Sequence, residues 1–149
     1  MKWLRLAGAA ILVLFGVGDA ARQVLAAADD VLARVAAHAD RFGAVSRQIW
    51  ETPELGYHET RSSAALQQEL QASGFMVKSD LGGMPTAFTA QWGSGKPVIG
   101  LMGEFDALPG LSQKDIPAQS AVQNGAPGHA CGHNLLGSAS APGSGGDQG

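Results

Sequence analysis

An α/β fold is predicted for this sequence on three observations. Apolar residues recur at helical spacing between residues 29 and 50. A second helical stretch follows a break at Pro53 and Gly56, and from residue 75 the pattern changes to short strand-like runs. The last of these runs ends in acidic residues, and sites in α/β folds collect beyond the carboxyl ends of strands.

The first element is not part of that fold. Lys2 and Arg5 precede an apolar run from Leu6 to Val17, and small residues follow, with "GDA" or "VLA" as the cleavage site. Residues 1–26 therefore predict an export signal, giving a periplasmic or secreted protein. The run is too short to span a bilayer and is closed by Asp19 and Arg22, so no membrane partner is expected after cleavage. The alternative is an amphipathic helix packed on the domain, which would leave the chain cytoplasmic.

The first helix of the domain should run from Asp29 or Asp30, as N-cap, to about Trp50. Val31, Val35, Ala39, Phe42, Val45 and Ile49 form its buried stripe, and His38 is a boundary residue. After "ETPELGYHET" a second helix should start near Thr60 and run through Leu66 and Leu70 to Gly74, a left-handed cap. "FMVKSD" and "TAFTAQW" follow as strands, "GSGK" as a turn, and "PVIGLMGEF" as a third strand apolar enough to be buried. The closing "SASAPGSGGDQG" is low in complexity and should form no packed element.

Composition narrows the function. The chain has 149 residues and a net charge of −3, with its ten Lys and Arg scattered rather than striped, which argues against nucleic acid as a partner. One cysteine rules out an internal disulfide, leaving a buried thiol, a nucleophile or a metal ligand. That residue, Cys131, lies two from His133 in "GAPGHACGHNLLG". In an extended loop residues i and i+2 point the same way, so thiolate and imidazole could meet one ion, Zn²⁺ suiting the pair, and His129 continues the alternation. A buried thiol beside two hydrogen-bonded loop histidines is the plainer reading. Glu104 and Asp106 also stand two apart, with Phe105 directed oppositely. They could hold a metal, orient a ligand histidine or move protons, or simply be a solvated strand end. A Cys131–histidine nucleophilic pair ranks lower, because such partners normally come from distant segments. "GSGKP" fails as a phosphate loop, since Pro97 stands where Ser or Thr is required.

"TPELGYHET", "GMPTAFTAQWGSGKPVIGLMGEFDALPGLSQ" and "GAPGHACGHNLLG" together resemble, in this order, the bacterial di-metal amidohydrolases of the aminoacylase and carboxypeptidase group. The likeness is greatest to the branch that cleaves p-aminobenzoyl-glutamate. Auxin-conjugate and hippurate hydrolases usually carry an "RADMDALP"-like string in place of "LMGEFDALP", and Asp where this chain has Asn134. The resemblance implies a zinc-exopeptidase-like three-layer α/β domain with an inserted dimerisation domain, of which residues 27–139 would be the N-terminal part. It implies Cys131 and His133 as metal ligands, Asp106 as a supporting acid, His129 as a pocket residue and Glu104 as a less certain one. It further implies two divalent ions, Mn or Zn, a metal-bound water and a glutamate general base, acting on a small-molecule amide. The family is often dimeric or paired with a second subunit.

No Glu follows Glu104 and no His follows His133, so that general base and the later ligands have no counterpart in these 149 residues. The expectation is a truncated chain, catalytically inactive by itself. Residues 140–149 would be an aberrant tail, and a shifted reading frame from codon 141 permits an alanine-rich helix in their place. A small exported metal-binding module without catalysis, or a pseudogene remnant, is the alternative.

Overall fold

A computed structural model describes residues 2–141, with side chains from residue 18 onward. The chain divides into two compact units, Met1–His38 and Ala39–Gly149. The architecture mixes helix and strand, consistent with an α/β fold: α1 (Lys2–Glu51), α2 (Thr60–Ala72), β1 (Met76–Leu81), β2 (Met84–Gln91) and α3 (His133–Ser140).

The first unit is the N-terminal part of α1. Helix runs straight through Asp29 and Asp30, so neither is an N-cap; Asp30 instead pairs with Arg34 one turn on, at 2.9 Å. Val31 and Val35 are 57% and 62% exposed, so the expected buried stripe begins only at Phe42. An amphipathic pattern buries only where another element covers it. No described helix is long and apolar enough to cross a membrane. The run Leu6–Val17, on which the expected export signal rests, has side chains outside the described set.

The second unit is built on the last turns of α1. Phe42, Val45 and Ile49 lie on one face and are buried, Ile49 completely. Phe42 packs with Leu70, Phe75 and Ala141, while Val45 and Ile49 pack with Leu66, and Phe88 bridges both groups. An ion pair between Arg41 and Glu69 adds a polar tie between α1 and α2.

The C-terminal cap of α2 forms as expected. Gly74 adopts φ +85°, the Gly74 N–H donates to the Gln71 carbonyl, and the Phe75 N–H reaches back to Leu70. This double bond and the Leu70–Phe75 contact make a Schellman end. The N-terminus is capped from a distance. The Glu54 carboxylate accepts the backbone N–H groups of Arg61 and Ser62, the Ser62 hydroxyl and the Arg61 guanidinium, at 2.9–3.2 Å. Burial alone would raise the pKa of Glu54; these donors outweigh it and hold the carboxyl below the ordinary range.

The strands β1 and β2 pair antiparallel, Met76 with Gln91 through Leu81 with Met84, with a bulge at Asp80. Gly82 and Gly83 both take positive φ, as a two-residue hairpin turn of this hand demands. The third expected strand is absent. Residues 97–105 have no strand structure and pair with neither β1 nor β2, and Val98 and Ile99 are 86% and 81% exposed. A strand exists only through a ladder with a neighbour, and β-branched composition does not supply one. At the other end, Ser138 and Ala141 are buried, Ser138 inside α3, so the start of "SASAPGSGGDQG" does pack. The rest of that stretch, residues 142–149, lies outside the described residues.

Candidate functional site

The site is positioned by segment 104–112, which is not regular structure but is tied on both sides. Toward residues 54–55, the Ala107 N–H donates to the Glu54 carbonyl at 2.7 Å, and Leu55 forms a parallel bridge with Ala107. On the other side Leu108 and Gly128 exchange two backbone hydrogen bonds of 3.0 Å, and the Ser112 N–H reaches the Ala126 carbonyl. Gly128 makes this possible: a Cβ there would stand 2.1 Å from the Leu111 carbonyl oxygen. Gly137 plays the same part for α3, where a Cβ would meet the Glu104 carbonyl and the Phe105 side chain at 3.0–3.1 Å.

The alternation expected at 104–106 holds without a strand. Phe105 turns inward against Val45, Ile49 and Leu66, its ring 5.9 Å from Phe88. Glu104 and Asp106 turn the other way and meet His133, the first residue of α3. His133 Nδ1 lies 2.8 Å from Asp106 Oδ1 and Nε2 lies 2.9 Å from Glu104 Oε2. Asp106 thus orients the ring through Nδ1–H, as a carboxylate orients a metal-ligating histidine. An unprotonated Nε2 and an ionised carboxylate are both acceptors, so their approach requires a proton or a cation between them. The imidazole is largely covered and Glu104 is open to solvent.

Cys131 is not gathered into this group. Its thiol is free and exposed, in a turn closed by the Gly132 N–H on the His129 carbonyl. Gly132 is left-handed at φ 74°, and His133 already begins a helix. The extended geometry that would align Cys131 with His133 is therefore replaced by turn and helix. Among the described residues no three His, Cys, Asp or Glu side chains are arranged to hold a metal ion. The donors present, a thiol and an imidazole with carboxylates beside it, suit a divalent ion chemically as an incomplete set.

His129 makes no hydrogen bond to either carboxylate among the described residues. Its Nε2–H donates to the Ile49 carbonyl at 3.1 Å, which leaves Nδ1 unprotonated, sealed from solvent and without a partner among the described residues. Burial is the main reason its pKa lies below the ordinary histidine value, and nearby His133 pushes the same way. The Ile49 carbonyl and Asp106 oppose them. With Nε2 donating to the Ile49 carbonyl, Nδ1 of the neutral ring is an acceptor. Asn134 donates its side-chain amide to Ser46 Oγ at 3.1 Å, docking α3 on α1; an aspartate could not donate that bond.

Sequence reasoning found both carboxylates and both histidines but missed Glu54 and Trp50. Glu54 stands in a quoted motif, yet its capping role depends on a fold-back of seven residues that spacing does not reveal. Trp50 lines an open cleft beside His129, whereas its place in the sequence marks only the end of the first expected helix.

The chain matches no protein-family model. It is 46% identical over 106 residues to one subunit of the p-aminobenzoyl-glutamate hydrolase of Escherichia coli K12, covering 70% of this chain and 22% of that protein. It is 36% identical over 114 residues to the Xaa-Arg dipeptidase of Mus musculus, covering 69% and 22%. Against the hippurate hydrolase of Campylobacter jejuni it is 32% identical over 93 residues, covering 62% and 24%. The chain thus spans about a fifth to a quarter of the length of the curated relatives it matches.

Proposed function

The chain belongs by sequence to a family of amidohydrolases and carboxypeptidases, and on that premise we propose that it contributes part of a metal-dependent hydrolytic site. The substrate is an N-acyl or N-aroyl amino acid of the p-aminobenzoyl-glutamate kind. One observation carries this reading: His133 is fixed through Nδ1 by Asp106, and its Nε2 faces Glu104. That is how a histidine is set when its second nitrogen is to serve a cation.

In this reading Cys131 and His133 hold the ion, Asp106 keeps the His133 ring in place, and Glu104 lies against the same Nε2. A divalent ion, Mn²⁺ or Zn²⁺ and two in the family, supplies a Lewis acid that lowers the pKa of a bound water. His129 lines the pocket beside it. No glutamate follows Glu104 to take the proton of that water, so these 149 residues alone do not turn over. The active assembly is dimeric or paired with a second subunit, and residues 1–26 direct export to the periplasm.

Calorimetric titration of the chain with Mn²⁺ and with Zn²⁺ tests the reading. Binding should disappear in Cys131→Ser and in His133→Ala, and weaken by about 10–100-fold in Asp106→Ala. Binding that ignores all three substitutions, or no binding, would overturn it. Hydrolysis of p-aminobenzoyl-glutamate by the isolated chain would overturn the assignment of the general base to residues other than these.

A further inference from the structure

The chain's two asparagines, Asn124 and Asn134, lie in opposite surroundings. Asn134 is buried, and its side-chain amide donates to Ser46 Oγ. The N–H of the residue after it, Leu135, donates to the Gly132 carbonyl at 2.9 Å. Side chain and following nitrogen are both committed, at the start of a helix.

Asn124 is exposed, and its side chain makes no hydrogen bond among the described residues. It sits in a four-residue turn, Gln123 to Ala126, closed by the Ala126 N–H on the Gln123 carbonyl at 3.2 Å. Gly125 takes φ +76° while Asn124 is not left-handed, which makes this a type II turn with glycine at its third position. Such a turn uses the N–H of its fourth residue and leaves the third free. The Gly125 N–H accordingly has no partner among the described residues. A Cβ on Gly125 would meet nothing within 4 Å, so no neighbour crowds the nitrogen's approach to Asn124.

A free carboxamide and a free backbone nitrogen one residue on are placed to close a five-membered ring, with the rate advantage of any intramolecular reaction. Glycine removes the side chain that would hinder the attack and lets the peptide plane between the two residues turn.

We infer that Asn124–Gly125 is a self-modification site, where the chain converts its own asparagine to aspartate and isoaspartate. The Gly125 nitrogen bonds to Asn124 Cγ, the Cγ–Nδ2 bond breaks, and Nδ2 leaves as ammonia with the proton from Gly125. Water then opens the cyclic imide. Cleavage of the nitrogen–Cγ bond gives aspartate. Cleavage between nitrogen and the backbone carbonyl carbon of residue 124 gives isoaspartate, whose main chain runs through Cβ and Cγ and is longer by one atom.

The place of the turn gives the reaction its consequences. Ser112 clasps it twice, donating its N–H to the Ala126 carbonyl at 3.0 Å and accepting the Gln123 N–H on Oγ at 3.2 Å. A main chain lengthened between those two points cannot keep both bonds. Asn124 also lines the cleft beside His129, whose lining among the described residues holds no Lys, Arg, Asp or Glu. Either product therefore puts a negative charge into a neutral wall. None of this depends on the amidohydrolase reading, since the only co-reactant is water.

The test is to incubate the full 149-residue chain at mildly alkaline pH and follow both asparagines by mass-spectrometric peptide mapping. Asn124 should react in the native chain at a rate within about threefold of that in urea, because the turn already exposes both partners. Asn134 should react at least about 100-fold more slowly until urea opens α3. Asn124→Gln, which keeps an exposed amide but cannot close the five-membered ring, should abolish the modification. The Ser112 N–H should lose hydrogen-exchange protection in the isoaspartate fraction and keep it in Asn124→Asp, which adds the charge without the extra atom. An Asn124 that reacts only in urea, or equal native rates at the two asparagines, would overturn the inference. Protection of Ser112 that survives isoaspartate, or that Asn124→Asp already abolishes, would overturn the argument from chain length.

Discussion

Residues 97–102 and 104–112 are neighbours in sequence and opposite in behaviour. The first, "PVIGLM", has the composition of a buried strand, yet it joins no strand ladder among the described residues, its Met102 carbonyl accepting the Ser140 hydroxyl at 3.3 Å, and it exposes Val98, Ile99 and Met102 almost fully. The second, "EFDALPGLS", is broken by Pro109 and Gly110 and carries two acids, yet it is bonded to residues 54–55 on one side and 126–128 on the other. What orders a segment here is the availability of partners for its backbone, and apolar content is secondary. The candidate site lies on the partnered segment, so Asp106 is delivered to His133 by main-chain bonds that glycines permit.

The contrast breaks first at Gly128. Replacing it with alanine drives a methyl to 2.1 Å from the Leu111 carbonyl oxygen and 2.9 Å from the Ser112 Cα, both of them backbone that cannot rotate away. The lacing of 108–112 to 126–128 must open. The expected loss is about 3 kcal/mol, at the upper end of overpacking, read as a lowered urea midpoint. A variant that melts with the parent would mean that the two loops are not in contact.

A smaller effect is expected at Glu54, which anchors the other side through its carbonyl and caps α2 through its carboxylate. Glu54→Ala removes a charged acceptor from two backbone N–H groups and should destabilise by about 2 kcal/mol at neutral pH. The sign of the pH dependence follows from a pKa held below the ordinary glutamate value. The contribution is fully present above the unfolded-state pKa, near 4.3, and fades as pH falls through the lower folded-state value. Parent and variant should therefore converge in stability in acid, in paired urea titrations. A constant gap from neutral pH downward would assign Glu54's effect to packing instead of charge.

These ties also explain what could be read in advance. The last turns of α1, α2, the Gly74 cap, the hairpin strands and the inward turn of Phe105 follow from periodicity and local chemistry, which act within a few residues; α3 is a further helix that periodicity did not mark. Glu104, Asp106, His129 and His133 were legible as candidates because residue type alone confines such chemistry. Their pairing was not, since His133 meets Asp106 across 27 positions of chain. Nor was the geometry at Cys131 to His133: the alternation argument assumed extended backbone, and the left-handed Gly132 followed by helix removes it. The third strand failed for a related reason, because its apolar run specifies a burial that only another strand or helix can provide.

The smallest expected effect, at Ile99, tests the other member of the comparison. Ile99 is 81% exposed and its neighbour Val98 more so. If the segment is unpartnered in the folded chain, Ile99→Lys removes no packing and should change stability by less than about 0.5 kcal/mol, the ordinary range for a surface substitution. It should also raise solubility, since a flat apolar run with unpaired backbone is a template for association with another chain. Sedimentation of parent and variant at matched concentration reads that second consequence. A loss above about 1 kcal/mol in the monomer would instead show that Ile99 is packed, since that lies beyond the surface range. The apolar run would then be a strand in solution, and the difference between the two segments would vanish.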